Sequence, residues 1–288
     1  MEAAAIRFPG KLAERVRDII EGRTPPATPR DAATVMVLRS ASADGAASAD
    51  GDGLEVYMLR RQSSMAFAPG AFVFPGGSVD ARDADEEVAW AGPDISEWGR
   101  VLDAPPQLAR ALVCAAVRET FEESGVLLAG PSPDSVVADT TGEDWEADRN
   151  ALLDRSVSLA ELLRRRRLVL RSDLLRPWSR WITPVIEARR FDARFFAAAL
   201  PPGQLTRDVG GEAASVTWIA PSAAITAGRS GQINLWLPTA VTLAELAGCP
   251  DVAAVLAARR QVTPLLPEVI FRDGTPWLTV PGNQEYPL

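Results

Sequence analysis

Three glutamates stand close together in "VRETFEESG", residues 117–125, and they are the residues best placed by type and spacing to do chemistry. On a helix that advances about 100° per residue, Glu122 and Glu123 fall on either side of Glu119, each within roughly 60° of it. They extend a helix face that is apolar upstream, so we expect them to point toward protein. Carboxylates that are partly buried must either protonate or bind a cation. A solvated acidic patch is the alternative, since exposed like charges cost only about 0.2–0.5 kcal/mol per pair.

The composition decides what kind of cation such a cluster could hold. The chain contains no histidine, which excludes Ser–His and Cys–His nucleophile pairs, histidine general bases and histidine metal ligands. Its two cysteines, Cys114 and Cys249, indicate neither a disulfide framework nor a four-ligand zinc site. Cys114 lies in an apolar helical run and is interpreted as a small buried side chain. Any metal should therefore be a hard cation held by oxygen.

The bulk properties limit the class of partner. The net charge of −8 does not favour nucleic acid or an anionic membrane. The longest apolar runs are far shorter than the roughly 20 residues that a membrane helix requires. The N-terminal stretch lacks the pattern of a signal peptide, so a cytoplasmic location is expected. The oligomeric state is left open, with a homodimer as one option.

Hydrophobic periodicity and turn residues predict the elements that position the glutamates. Their helix should span residues 103–125, with Asp103 as its N-cap and Gly125 as its stop. The predicted class is mixed α/β, with helices packed on a sheet. Strands are predicted at 32–38, 54–61, 71–77, 178–186, 190–200 and 214–221, further helices at 11–22, 143–156, 158–167, 239–248 and 251–260, and a hairpin at 268–280.

The segments "FPGG" (74–77) and "RETFEESGV" (118–126) resemble the signature of the Nudix hydrolases, G-x5-E-x7-R-E-U-x-E-E-x-G-U with U apolar. The interrupted signature, "WSRWITP" (178–184) and "RRFDARFF" (189–196) are similar to the coenzyme A diphosphatase branch. The resemblance implies a Nudix-type α/β/α sandwich with a mixed central sheet and N- and C-terminal helical additions. The resemblance spans roughly residues 31–240. Together with the residue patterns, it leads us to expect a helix and linker at 1–30, the catalytic core with an insertion at 80–105 in residues 31–225, and a helical and hairpin extension packed on the core at 226–288.

Three departures from the family pattern stand out. Thr120 occupies a position where the family prefers an apolar residue. Counted back from Arg118, the first signature glutamate falls at Arg110, so Asp80, Asp83 and Asp85 are the candidates for its role in holding the arginine. In the coenzyme A signature, an arginine is expected where Ala66 stands.

The resemblance implies that Glu119, Glu122 and Glu123 hold Mg²⁺ or Mn²⁺, together with the Gly76 carbonyl. Arg118 would orient a glutamate, and Gly77 would let the backbone approach the substrate. Glu212, six residues before Trp218, is the candidate general base or an additional metal ligand, with an ordinary loop carboxylate as the alternative.

The implied activity is hydrolysis of coenzyme A or acyl-coenzyme A to 3′,5′-ADP and 4′-phosphopantetheine species. Arg60, Arg61, Arg189 and Arg190 are candidate cations for the substrate. The alternatives are a diphosphatase acting on ADP-ribose, NADH or another nucleoside diphosphate derivative, and a catalytically silent nucleotide sensor. The run "RRRR" (164–167) is interpreted as a solvated helix end rather than a phosphate grip, and Trp178 and Trp181 as packing residues rather than a platform for adenine.

Overall fold

The computed structural model describes residues 6–7, 18–19, 21–41, 53–62, 68–207, 213–272 and 275–279. The strands in chain order are β1 Ile6–Arg7, β2 Arg30–Ser40, β3 Leu54–Arg61, β4 Ala71–Val73, β5 Gly76–Ser78, β6 Trp90–Ala91, β7 Ala129–Gly130, β8 Val169–Arg171, β9 Arg176–Ile182, β10 Phe191–Ala199, β11 Ala213–Ile219, β12 Asn234–Leu235, β13 Pro264–Leu265, β14 Glu268–Arg272 and β15 Thr275–Thr279. The helices are α1 Ile95–Leu102, α2 Pro106–Ser124, α3 Glu143–Leu153, α4 Leu159–Arg166, α5 Pro221–Arg229, α6 Leu237–Ala247 and α7 Val252–Ala257, with 3₁₀ turns at Ala81–Ala84 and Ser172–Leu174.

The central sheet is mixed. Its main path runs β12-β4-β3-β2-β10-β9-β13, with β11 paired to β3 and β5 paired to β2. Strand β10 runs parallel to β2, whereas β3 runs antiparallel to it. The N-terminal end of β2 therefore pairs with the N-terminal end of β10 on one side and with β5 on the other.

Both faces of this sheet are covered. Alternate residues of β2 point to opposite sides, as the period of two requires. Val35 and Val37 join a core with α2, while Met36 and Leu38 join a second core with residues of α5, α6 and α7. The predicted α/β/α sandwich with a mixed sheet is confirmed.

The helix that carries the glutamates is α2, and its two ends are set by proline and glycine. Pro105 occupies the N-cap position, and Gly125 ends the helix in the left-handed conformation at φ 75°, as predicted. The prediction that Asp103 caps this helix was wrong. Asp103 instead ends α1 with φ 50°, and its carboxylate binds Arg180 on the sheet at 3.1 Å.

The segment predicted as one strand at 71–77 is two short strands. Pro75 lacks the N–H that a continuous strand would need, and the chain changes partner at this point. Strand β4 pairs with β3, whereas β5 pairs Gly76 with Thr34 and Gly77 with Ala33 on β2. The two glycines are thereby fixed against the middle of the sheet rather than in a free turn.

The insertion at 80–105 is structured. It begins with the 3₁₀ turn Ala81–Ala84, contributes β6 to a three-stranded sheet of order β6-β8-β7, and ends with α1. Trp98 and Leu102 of α1 are buried in the core that contains α2, and Trp98 packs edge-on against Phe196. The insertion therefore lies on the same side of the sheet as the catalytic-candidate helix.

The other predicted elements are found close to their expected bounds, including the antiparallel pairs β9–β10 and β14–β15. Most of the predicted helix at 11–22 lies outside the described residues, and the domain boundaries stay predictions. No helix in the described ranges has the length and apolar character needed to cross a bilayer.

Candidate active site

The site forms where β5 brings its glycines against the C-terminal half of α2. Gly76 donates its backbone N–H to Glu123 Oε2 at 2.8 Å. A Cβ on Gly77 would lie only 2.4 Å from Glu119 Oε1, and one on Gly76 only 2.5 Å from the Ala33 carbonyl oxygen. Glycine is therefore required at position 76, where the backbone of β2 is in the way, whereas a side chain at position 77 would displace the Glu119 carboxylate.

Arg118 is the hub of the site. Its side chain is almost fully buried, and its guanidinium donates through Nη1 to Glu119 Oε1 at 2.8 Å and to Glu122 Oε1 at 3.2 Å. The Nη2 atom also donates to the Ser78 carbonyl at 3.0 Å, which ties the helix to the end of β5. The Arg118 guanidinium thus orients two of the three glutamates and also holds β5, which we call the glycine strand because it contains Gly76 and Gly77.

The partner that holds Arg118 from the other side is Asp83. The guanidinium donates through Nε to Asp83 Oδ1 and through Nη2 to Asp83 Oδ2, both at 2.9 Å. This two-point geometry matches the planar fork of arginine to a carboxylate. Asp83 is buried, and its Oδ2 also accepts the Asp80 N–H at 2.8 Å. Of the three acids considered from the sequence, Asp83 holds the arginine.

Charge in the site is unbalanced. Burial raises the pKa of Glu119 to about 7, and the nearby Glu122 adds to the rise, while the Arg118 guanidinium opposes it. Burial likewise raises the pKa of Glu122 against the opposing effect of Arg118. Burial disfavours the charged form of Arg118, but its bonds to Asp83 and the charges of the acids outweigh burial and raise its pKa. Three acids, Asp83, Glu119 and Glu122, contact the one guanidinium of Arg118, so a further cation would relieve the repulsion between them.

The donor set fits a hard divalent cation. It consists of carboxylates and backbone carbonyls, which are the ligands that magnesium and manganese prefer. Among the described residues, no three acidic or cysteine side chains already converge on a single point. The geometry explains this, because Arg118 holds Glu119 and Glu122 while the Gly76 N–H holds Glu123. Arg118 and the Gly76 N–H therefore hold the three carboxylates near one another. A bound cation would replace these groups as the partner of the carboxylates.

A family model described as the NUDT19 Nudix domain matches residues 99–246, about half of the chain. The chain belongs to this Nudix family. Two relatives named acyl-coenzyme A diphosphatase NUDT19 are similar to it. The one from Xenopus laevis is 29% identical over 64% of this chain and 57% of its own length, and the one from Gallus gallus is 30% identical over 75% and 68%. The chain thus spans between about half and two thirds of these relatives.

A solved structure supports the same family at the level of the fold. The crystal structure of a Nudix hydrolase from Alicyclobacillus acidocaldarius superposes with a TM-score of 0.68 at 27% identity, over 82% of this chain and 99% of that one.

The Nudix pattern explains why Asp83 lies where it does. Counted forward from Gly77, five residues precede Asp83, which is the spacing of the first acid in G-x5-E. The extra residues therefore start after Asp83 rather than at residue 80 as expected, and counting back from Arg118 across them lands on the wrong residue. Arg110 stacks on Trp90 of the insertion, with its Cζ 5.3 Å from the ring centroid, and takes no part in holding Arg118.

The predicted Nudix base, Glu212, lies outside the described residues. The chain on both sides of it is anchored. Tyr57 donates its hydroxyl to the Arg207 carbonyl at 2.9 Å, and Ala213 pairs with Arg61 on β3.

The predicted substrate cations occupy one end of the sheet. Arg60 and Arg61 lie at the C-terminal end of β3, and Arg189 and Arg190 precede β10, so both pairs lie at the end of β2 that carries β5. The two pairs do not line one cleft. Arg189 and Arg190 share a cleft with Arg30, and Arg60 lies apart from it, exposed on β3.

The interpretations of the arginine run at 164–167 and of the two tryptophans in "WSRWITP" are confirmed. In the run at 164–167, Arg164 pairs with Glu87, and Arg165 and Arg166 pair with Asp148, so three of these arginines are engaged by acids. Trp178 and Trp181 are buried in the core on the α6 side of the sheet, and Trp178 donates its indole N–H to Glu245 at 2.7 Å.

One residue near the site carried no signal in the sequence. Arg155 follows α3 with a positive φ of 63°, and its exposed side chain lies 3.4 Å from Asp80 Oδ2. Arg82 donates to its backbone carbonyl at 3.1 Å, which holds this conformation. The Arg155 guanidinium also favours the charged form of Glu122 and so opposes the rise of its pKa. Only the tertiary fold brings this cation to the rim of the site.

Proposed function

We propose that this chain hydrolyses the diphosphate bond of coenzyme A or acyl-coenzyme A, releasing 3′,5′-ADP and a 4′-phosphopantetheine species. The observation that carries the proposal is the hub at Arg118, which joins Asp83, Glu119 and Glu122 beside the glycine strand. The substrate class is supported by the names of the relatives, each an acyl-coenzyme A diphosphatase.

In this proposal, the protein orients carboxylates around an anionic substrate. Asp83 holds Arg118 from behind, so that Arg118 keeps Glu119 and Glu122 on one side of α2. Glu123 bridges to the Gly76 N–H and fixes the strand against the helix. Because Gly76 and Gly77 carry no side chains, strand β5 lies directly against β2 and against the Glu119 carboxylate, which keeps the glutamates beside the strand. Glu212 is our candidate to accept a proton from the attacking water.

Mg²⁺ or Mn²⁺ is the cofactor of this proposal, held by Glu119, Glu122 and Glu123 with the Gly76 carbonyl. Such a cation neutralises the phosphates and lowers the pKa of bound water. We further propose that the enzyme is located in the cytoplasm. For its oligomeric state, a homodimer is one option.

A substrate panel tests the proposal. Coenzyme A, acetyl-coenzyme A, dephospho-coenzyme A, ADP-ribose and NADH are each incubated with Mg²⁺ or Mn²⁺, and the products are identified by mass spectrometry. We expect 3′,5′-ADP from the first two substrates and the highest kcat/KM for them. Faster hydrolysis of ADP-ribose or NADH would refute the substrate class while leaving the diphosphatase chemistry intact. Binding without turnover of any of them would favour a nucleotide sensor.

A further inference from the structure

A cationic cleft lies at the end of the sheet that carries the site. Its lining comprises Ala27, Thr28, Arg30, Ala188, Arg189 and Arg190. Half of these residues are arginines and none is acidic. Such a concentration of positive charge is unusual for a chain with a net charge of −8.

The described residues supply no carboxylate to this cleft. Arg190 is 7% exposed, and its guanidinium donates to two backbone carbonyls, of Thr183 at 2.9 Å and Ala27 at 2.7 Å. The exposed Arg189 stacks on Phe191 at 5.2 Å. Asp31, the acid next to Arg30, is engaged by Arg194 at 2.9 Å.

This arrangement is costly without an anion. A buried cation is normally paired with a carboxylate or another anion, because carbonyl dipoles compensate its charge only in part. The cost is visible at Arg190, where burial lowers the pKa of the guanidinium. Planar guanidinium groups favour phosphate through two parallel hydrogen bonds.

The cleft is at a distance that one substrate could span. Arg30 begins β2, and its N–H bonds the Arg190 carbonyl at 2.9 Å. Three residues further along, Ala33 pairs with Gly77. At about 3.3 Å per residue, the start of the cleft is roughly 10 Å along the strand from the glycines. Alternate residues of β2 point to opposite faces, so Arg30 shares the face of Met36 and Leu38 rather than the face of α2, and a substrate at the glycines would reach the cleft around the end of the sheet.

We propose that the cleft of Arg30, Arg189 and Arg190 binds a phosphate monoester of the substrate, the 3′-phosphate of coenzyme A. The proposal rests on the proposed function, since it names the part of that substrate that the cleft receives. Arg30 and Arg189 contact the phosphate from the exposed side, while Arg190 forms the buried wall. Arg30 carried no functional prediction from the sequence.

The test combines turnover with binding of a product. The double variant Arg30→Gln, Arg189→Gln removes both exposed charges and leaves the structural bonds of Arg190 intact. We expect kcat/KM for coenzyme A to fall at least roughly tenfold, since a single charge-assisted contact is already worth about ten- to a hundredfold, with little change for dephospho-coenzyme A. By calorimetry, affinity for 3′,5′-ADP should fall by the same factor and affinity for 5′-AMP should not. Arg259→Gln, at an exposed arginine outside the cleft, is the matched control and should change neither.

The outcomes separate this inference from the function on which it rests. A wild-type protein that hydrolyses neither coenzyme A nor its acyl esters overturns the proposed function. A wild-type protein that hydrolyses coenzyme A, with equal losses for both substrates in the double variant, overturns the cleft alone. Inorganic phosphate is titrated separately. If it binds as tightly as 3′,5′-ADP and is lost in the double variant, the cleft is a free-anion site and the proposal is wrong.

Discussion

Replacing Asp83 by asparagine should disable the site through Arg118, although Asp83 need not touch the substrate. The change keeps the size of the side chain and removes its charge. It weakens the two-point contact with Arg118, in which both distances are 2.9 Å. The guanidinium then depends on Glu119 and Glu122, which it already contacts. We therefore expect Arg118 to hold these two carboxylates more tightly and to oppose their use by a metal.

The magnitude follows from burial. Removing one partner of a buried ion pair costs about 3–5 kcal/mol when nothing replaces it. Here Glu119, Glu122 and the Ser78 carbonyl remain, so we expect about 2 kcal/mol of lost stability, or a decrease of roughly 4–8 °C in Tm. We expect kcat/KM to fall at least about tenfold, equivalent to about 1.4 kcal/mol, and the metal concentration for half-maximal activity to rise.

Metal titrations of activity and thermal melts with and without Mg²⁺ measure both effects. Asp85→Asn is the matched control, since Asp85 lies in the same segment and accepts only the Glu87 N–H at 2.8 Å among the bonds described for it. Asp83→Glu keeps the charge and should recover much of the metal response. Wild-type metal dependence in Asp83→Asn, or an equal defect in Asp85→Asn, would show that the contact with Arg118 does not position the site.

Three further predictions concern the same helix and strand. Glu122→Gln and Glu123→Gln should each lower kcat at least about a hundredfold, which corresponds to about 2.7 kcal/mol. Circular dichroism should show that both variants keep the fold. Near-normal turnover in both would contradict the metal assignment. Gly77→Ala places a Cβ 2.4 Å from the Glu119 carboxylate, so activity should collapse and Tm should fall; a fully active variant would mean that the strand moves freely. Burial raises the pKa of Cys114 to about 12, so a thiol reagent at pH 8 should modify it only after denaturation, as read by mass spectrometry.

The elements that carry the candidate site could be predicted because helix, strand and glycine signals all agreed. The spacing of Glu119, Glu122 and Glu123 requires a helix for the three to meet, and Gly125 marks where that helix ends. The period of two in β2 likewise predicts which residues enter each core. Such local patterns are read reliably because backbone geometry alone decides them.

The features that could not be predicted from the sequence depend on contacts between segments that are far apart in the chain. Asp83 could not be separated from Asp80 and Asp85 until its bonds to Arg118 were known. Asp103 was assigned to the wrong helix because α1, hidden in the insertion, ends where α2 was expected to begin. The cleft at Arg30 needs two strands and a linker to meet, and no spacing along the chain encodes that.

The position of the insertion explains how an interrupted Nudix signature keeps its geometry. In the uninterrupted pattern, the arginine follows the first acid by eight positions, whereas here Arg118 follows Asp83 by 35. Closing this longer loop costs only about 1.3 kcal/mol more, since closure entropy grows with the logarithm of length. Burial of Trp98 and Leu102 beside α2 offsets that cost, because each large apolar side chain contributes roughly 1.5–3 kcal/mol. An insertion placed after the acid therefore leaves the acid joined to the glycine strand and the arginine joined to the glutamates. The two halves meet through the contact between Asp83 and Arg118, the bond from Arg118 to the Ser78 carbonyl and the bond from the Gly76 N–H to Glu123. Of these, the contact between Asp83 and Arg118 is a two-point ion pair with both partners buried, which is why we expect it to be the most sensitive of the three to substitution.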